Sequence, residues 1–459
     1  MLSPLVIRTF RLASLGLIVF LASLASCHAA SPPPKTASDF FGVTNLWTFE
    51  LRLPRSVWDS VVSEANPFHP GPASLTNAAN TTLAINGNEY RNIAIRLKGG
   101  GTRGGASQGR PPLRLTFRDT NSFPVRELSL NNNVFDSSFM RDALSYKLFS
   151  DFAVPAPKTA YVKLYVAFRD STSGSTSKRY LGLYTVSEIV DEQFIQVHFG
   201  DSSGLLLKPE LGNLSFDAGR SWEDFAQFLY PKTPATPAQQ ERMMSFIQLL
   251  RKNDAATFRE QIGSYIDVDN FLRFLTVTVV LANLDSYLAM AKNYYMYLDP
   301  ATGKLHWIPW DHDLSFGGFF LCGTPADRIN LSIDNPSSVN DTLLRQLLAI
   351  PEMKQKYHQL LRDFLTKHFE PQSILRRIDQ LAEILQPAVL EEKRKSLADF
   401  KRSIDGRDTL QNAASSARSP WEGGILTPGL KLFVERRNQS IQSQLEGKTR
   451  GARPRFGQH

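Results

Sequence analysis

The sequence predicts an α+β protein of two lobes, β-rich in its N-terminal half and helical in its C-terminal half. Three observations carry this. Up to about residue 190, short segments alternate apolar and polar residues between turn signals. Beyond 235, apolar residues recur at helical spacing behind N-cap residues. A single strand–turn–strand unit, 294–309, interrupts that helical half. A folded span of roughly 400 residues is long for one compact unit, which favours two lobes with a cleft between them.

The first strand is 47–53, which alternates cleanly. Residues 82–85 and 92–97 are expected to flank the turn Asn86-Gly87-Asn88 as a hairpin, and 113–117 alternates again. Met140, Leu144, Leu148 and Phe149 share one face of a helix over 138–150, and strands follow at 160–168 and 180–186. The polar stretches 171–178 and 200–204 read as surface loops. Thr236-Pro237 supplies a cap and a first-turn proline for a helix to Lys252. Asp267 caps a helix that is apolar nearly all round and therefore buried. Thr427-Pro428 opens a last helix to about Leu445.

The ends carry a separate message. Arg8 and Arg11 precede an uncharged small and apolar run, 12–26, too short for a membrane-spanning helix and placed as an export signal is. Leu24-Ala25-Ser26-Cys27 resembles a bacterial lipobox, which makes 1–27 a lipoprotein signal with Cys27 lipidated; ordinary cleavage near Ala29 or Ala30 is the alternative. Either way the expectation is an exported protein, in the periplasm or on the outer surface, touching the membrane only through that anchor. Residues 28–45, rich in proline, read as a tether, 46–446 as the folded domain and 447–459 as a basic disordered tail. Cys322 then has no disulfide partner and reads as a buried small residue. The formal charge of +8 sits mostly at the ends: two cations in the signal and four after Gly447 leave about +2 on the body, which predicts no nucleic-acid face.

The chemistry concentrates in 281–317. A buried helix ends near Asn283, Asp285 follows, then Asn293, a hairpin turning at 299–303, and Trp310-Asp311-His312-Asp313. A hairpin brings its entry and exit together, so Asp285 and Asn293 are expected beside Asp311 and Asp313. Carboxylates gathered this way repel unless a cation sits among them, and oxygen donors suit Mg²⁺ or Mn²⁺. Phosphoryl transfer uses this kit, one Asp to orient a hydroxyl and an Asn and another Asp to hold metal against phosphates. Gly99, Gly100 and the glycines after them would let backbone N–H groups approach phosphates, and Lys98, Arg110, Arg114, Arg141 and Lys208 are candidates to neutralise them. Glu188 ends a strand as a hinge residue would, or pairs with one of those cations. Any of these is, taken singly, as well explained as a satisfied surface charge.

Asn283-Leu-Asp285, Lys292-Asn293-Tyr-Tyr and Pro309-Trp-Asp311-His-Asp313-Leu-Ser-Phe-Gly317 resemble the signature of the CotH kinase-like family. So do 95–101, Asp136 to Asp142, Gly182 to Glu188 and Leu430 to Arg436, and the likeness spans about 46–445. The resemblance implies an atypical protein-kinase-like fold and an exported kinase that moves the γ-phosphoryl of ATP to Ser or Thr of an exported protein. It implies Asp285 as base, Asp311 as the main metal ligand, and Asn293 and Asp313 as a second ligand and supporting carboxylate. The Gly turn is longer and more basic than the family's, and the Asp285-to-Asn293 spacing is wider than in ordinary kinases. Two other readings stand beside it: a non-catalytic surface or coat binding module on the same fold, and a phosphatase using Asp311 as nucleophile and Asp313 as acid.

Overall fold

A computed structural model describes residues 32–63, 81–99, 101–103, 109–119, 122–169, 176–210, 221–338, 341–392, 397–406 and 427–455. The export signal, Cys27 and Gly100 lie outside them. Among the described residues the fold is α+β, with eight strands in one sheet and three in another, and helices dominating after residue 221.

The large sheet holds β1 (Leu46–Leu53), β2 (Thr82–Ile85), β3 (Asn88–Tyr90), β4 (Ile93–Leu97), β5 (Leu113–Phe117), β6 (Glu127–Asn131), β7 (Thr159–Arg169) and β8 (Thr176–Ser187). Its order is β3-β2-β1-β7-β8-β6-β5-β4, antiparallel except for β1 beside β7. Only Arg91 and Asn92 separate β3 from β4, although these are the two edges, and Ile93 N donates to Thr81 O. The sheet therefore curls enough to bring the start of β4 beside the start of β2. Alternation fills the interior: Phe49, Leu51, Leu83, Ile95, Leu115, Leu130, Val162 and Val166 share one core.

The expected hairpin over 82–97 needs correcting. β2 turns at Asn86-Gly87 into β3, and Asn92 has a φ of +56°. A residue in the left-handed region cannot continue a strand, so the backbone breaks there and β4 pairs with β5 instead. The tether and tail also shorten. Thr36 caps the turn Ala37–Phe40, and Phe40 is fully buried against Trp47, Phe49 and Phe123. At the other end Ala452 bridges to Leu331, so residues up to 455 belong to the folded body.

The helices 141–151, 268–280 and 430–445 share a second core with Tyr161 and Leu183 from the outer face of β7 and β8. Val268–Val280 is buried on every side, as its composition requires. Helix Pro237–Lys252 starts at the expected cap, closed by Thr236 and Gln239; the last helix starts at Leu430, three residues beyond Thr427. Among the described residues no helix is long and apolar enough to cross a membrane.

Arg437 ties the last helix to the end of helix Val268–Val280 and to residues 329–331. It is fully buried and donates to the carbonyls of Val279, Val280, Ile329 and Leu331, and burial pushes its guanidinium down to about 9. Arg437→Met is expected to cost about 3–5 kcal/mol, because four buried carbonyls lose their donor at about 1–3 kcal/mol each and recover only part of it. A lower denaturant midpoint with an unchanged slope is the result to look for.

Candidate active site

Residues 281–317 fold as a buried turn, a hairpin and a second turn. After the helix ends at Val280, Leu284–Leu288 makes a wide irregular turn with Asp285 and Ser286 outside helical geometry. β10 (Tyr294–Asp299) and β11 (Lys304–Pro309) form the hairpin, and β9 (Leu205–Leu207) completes a three-stranded antiparallel sheet. Asp299 is a turn residue: its carboxylate accepts from Ala301 N at 3.0 Å and Thr302 Oγ1 at 2.7 Å.

The turns sit in costly backbone. Ala282, Ala291, Asn293, Asp311 and Phe316 all have φ between +43° and +59°. Five non-glycine residues in the left-handed region along one short segment are held there by the packing around them. Asn293 donates from Nδ2 to Asp285 O at 2.6 Å and to Asp285 Oδ2 at 3.2 Å, which ties the hairpin's entry to the turn before it. Asp311 N donates to the Tyr146 hydroxyl at 2.8 Å, and His312 N to Asp142 Oδ1 at 2.9 Å. Helix Arg141–Asp151 therefore fixes the hairpin's exit. Tyr146→Phe leaves the Asp311 N–H without its acceptor; it should cost about 1–3 kcal/mol of stability and lower any turnover at this site about tenfold, read as a rate well below the shifted unfolding midpoint.

The electrostatics follow from this crowding. Asp285 is buried and raised to about 6, first by burial and further by Asp311, against the pull of Lys292 Nζ at 3.0 Å. Asp142 is likewise raised to about 6, by burial and then Asp311. Asp313 is pushed well above the carboxylate range by burial and by Asp311, Asp142 and Asp285. Burial brings half-buried Lys98 down to about 8, with Asp311 and Asp142 holding it up; its ammonium meets Asn131 Oδ1, and Asn131 Nδ2 donates to Asp142. Burial lowers Lys208, but Tyr295, Glu210 and Asp311 outweigh it. His312 is fully buried, edge-on to Tyr146 and Phe149, and held down to about 3, so it stays neutral and is no base.

Of the residues picked from the sequence, the fold brings together Asp285, Asn293, Asp311, Asp313, Lys98 and Lys208. Arg114 lies on the adjoining wall, 3.3 Å from Glu127, where it acts on Lys98 and Tyr295. Gly99 turns the chain after Lys98 at φ +74°, and a Cβ there would collide with Thr102 Oγ1. Three candidates are corrected. Arg110 is buried, paired with Glu392 and bonded to the carbonyls of Asn132 and Leu183. Arg141 is buried, donating to Ser315, Phe316 and Pro428 carbonyls, so it clamps the loop after Asp313 and meets no phosphate. Glu188 accepts from Lys158 N at 3.0 Å, and its charged neighbours are Lys158 and Asp191 rather than the cleft cations.

Two residues passed over in the sequence belong to the site. Lys292 pairs with Asp285, and Asp142 joins Lys98 through Asn131 to His312 N. Asp142 reads in sequence as an ordinary first-turn acid of a helix. The oxygen donors Asp311, Asp313 and Asn293 suit a hard divalent cation in kind, and the like-charge stress on Asp313 is what such a cation relieves. Among the described residues, no three Asp, Glu, His or Cys side chains are already drawn into a metal-binding group.

The model of the family described as CotH kinase protein matches residues 95–438, from β4 to the last helix. The chain is also similar to the inner spore coat protein H of Bacillus subtilis (strain 168), 26% identical over 288 residues, 61% of this chain and 74% of the relative. The matched span contains Lys98, Asp142, Asp285, Asn293, Asp311 and Asp313. This chain belongs to the CotH kinase protein family.

Proposed function

We propose that this chain is an exported atypical protein kinase with a two-lobed kinase-like fold, which moves the γ-phosphoryl of ATP to a Ser or Thr hydroxyl of an exported protein. The observation that carries the reading is the convergence of Asp285, Asn293, Asp311 and Asp313 at one end of the β10–β11 hairpin, faced by Lys98 and Lys208.

Asp311, with Asn293 and Asp313, would hold Mg²⁺ or Mn²⁺, which when bound supplies positive charge against the phosphates. Lys98, at the end of β4, and Lys208, at the end of β9, neutralise phosphate charge. Asp285 accepts the proton as the acceptor oxygen bonds to the γ-phosphorus and the bond to the bridging oxygen breaks, releasing ADP. Lys292 holds the Asp285 carboxylate in place. A base near 6 is ionised at neutral pH and still basic enough to take a proton.

The similarity to a spore coat protein supports a location at the cell surface or beyond, in line with the export signal and Cys27 anchor read from the sequence. The phosphatase reading loses ground. It needs the Asp-x-Asp strand in a parallel βαβ sheet, whereas β11 is the edge of an antiparallel one. A binding module on the same fold keeps metal–ATP affinity and lacks transfer. The purified protein with labelled ATP and Mg²⁺ or Mn²⁺, beside Asp285→Ala and Asp311→Ala, tests the proposal. Label on the protein or a generic acceptor, lost in both variants, supports it; nucleotide binding with no transfer under any metal sinks it.

A further inference from the structure

The basic tail, expected to be disordered, builds a cavity instead. Residues 447–455 fold back along the segment 330–337. Ala452 N donates to Asn330 O at 2.6 Å and Ser332 N to Ala452 O at 2.8 Å. Gly451, at φ +70°, lies so close that a Cβ would stand 2.6 Å from Ser332 Cα and 2.8 Å from Asn330 O. Gln444 locks the same place, accepting from Ile333 N and donating to Leu331 O. Arg450 and Arg453 are thus carried on a pinned segment. Both are exposed and, among the described residues, have no acidic partner.

Between this segment and helix Thr342–Ala349 lies a cavity of about 690 Å³, and none of the cleft residues lines it. Arg345, Lys354, Arg450 and Arg453 are on its wall, against two carboxylates. Asp334 is already engaged by Lys354 at 3.2 Å and His358 at 2.8 Å. Asp341 is buried and caps Leu344 N at 3.0 Å. Arg345 Nη2 donates to the neutral Asn253 Oδ1 at 3.0 Å, so the three arginines keep uncompensated charge, and the planar forks of Arg450 and Arg453 match oxyanions. Ile333, Pro336, Leu344 and Leu348 supply an apolar floor. That volume admits a ligand of nucleotide size or smaller but not a folded partner.

We propose that this cavity binds a small organic phosphate, its phosphoryl oxygens on Arg345, Arg450 and Arg453 and its carbon body on the apolar floor. The cavity also adjoins the turn that carries Asp285. Ser337 Oγ and Ser338 N donate to Leu288 O at 2.8 and 3.1 Å, and Tyr287 is acted on by Asp341. A ligand here therefore sits one residue layer from the catalytic turn without touching it.

The test is calorimetric titration of the full chain with glycerol phosphate and with pyrophosphate, metal removed by chelator. Without metal no cation links a probe to the cleft carboxylates, and the arginine variants separate binding in the cavity from binding at the cleft lysines. Arg450→Glu/Arg453→Glu is expected to weaken both probes at least about tenfold, the loss of two charged hydrogen-bonding partners. Because both side chains are exposed, unfolding midpoints should match wild type, and Arg450→Gln/Arg453→Gln should fall between. Probe affinities within twofold of wild type in the double Glu variant would overturn the proposal. So would sulfate binding as tightly as the organic phosphate, since that is surface charge alone. The titration measures no phosphotransfer, so its outcome is independent of the kinase reading.

Discussion

Asp285→Asn is expected to slow phosphoryl transfer by about 10²–10⁴ while leaving metal–ATP affinity within a few-fold of wild type. Asp311→Asn should lose both, because several kcal/mol of charge stabilisation go with the metal. The difference follows from where each carboxylate sits. Asp285 is gripped from the protein side by Lys292 and Asn293, and in the proposed reaction it takes the proton. Asn keeps the size and the polar contacts but cannot take that proton. Asp311 leaves β11 in left-handed backbone, held by Tyr146. It raises the pKa of Asp142, Asp285 and Asp313 alike, so it is the charge nearest the common centre. Rates under saturating metal–ATP, with affinities from titration, separate the two. Wild-type turnover in Asp285→Asn would remove the base from the mechanism. If Asp313→Asn rather than Asp311→Asn abolished metal affinity, the ligand order would have to be reversed.

How much of this was legible in the sequence depended on range. The β10–β11 hairpin, its Asp299 turn and the caps at Thr236 and Asp267 rest on contacts between near neighbours, and the chain displays them directly. Asp285 and Asn293 meet Asp311 for the same reason, since a hairpin must return its exit to its entry. Arg110 and Arg141 failed because a basic residue's role depends on partners far along the chain. Glu392 claims Arg110, and the carbonyls of Ser315, Phe316 and Pro428 claim Arg141. Nothing local distinguishes such an arginine from one that faces a phosphate. Asp142 was hidden the other way, since its helix position gave it a sufficient ordinary role. The break at Asn92 had a visible sign, because Asn tolerates the left-handed region, but an apolar alternation running through it outweighed that sign. The folded tail was masked by composition: its glycines and arginines resemble a solvated end, and the pairing of Ala452 with Asn330 and Ser332 depends on a segment more than a hundred residues earlier.

Metal-free protein is expected to become less stable as pH rises from about 4 to about 6.5, and to regain part of that loss when Mg²⁺ or Mn²⁺ is added. Asp142 and Asp285 titrate near 6 in the folded chain and near 3.8 when unfolded. Folding therefore raises both values, and the folded state holds extra protons between those limits. Stability is greatest below the window and falls as the pH passes upward through it, on the order of 3 kcal/mol for each carboxylate. The groups are coupled through Asp311, so the slopes do not simply add. Surface acids such as Asp254, held low by the N–H and hydroxyl groups of its helix cap, act in the opposite sense. The discriminating quantity is hence the metal-induced gain at each pH rather than the raw curve. At a hundredfold excess over its dissociation constant the cation should add about 2.7 kcal/mol near pH 7.5. That gain should shrink toward zero by pH 5, as protons compete for the same oxygens. Asp311→Asn should show little gain at either pH. A metal effect that did not change between pH 5 and 7.5 would mean the cation binds elsewhere, and the cluster would be left as a buried structural network.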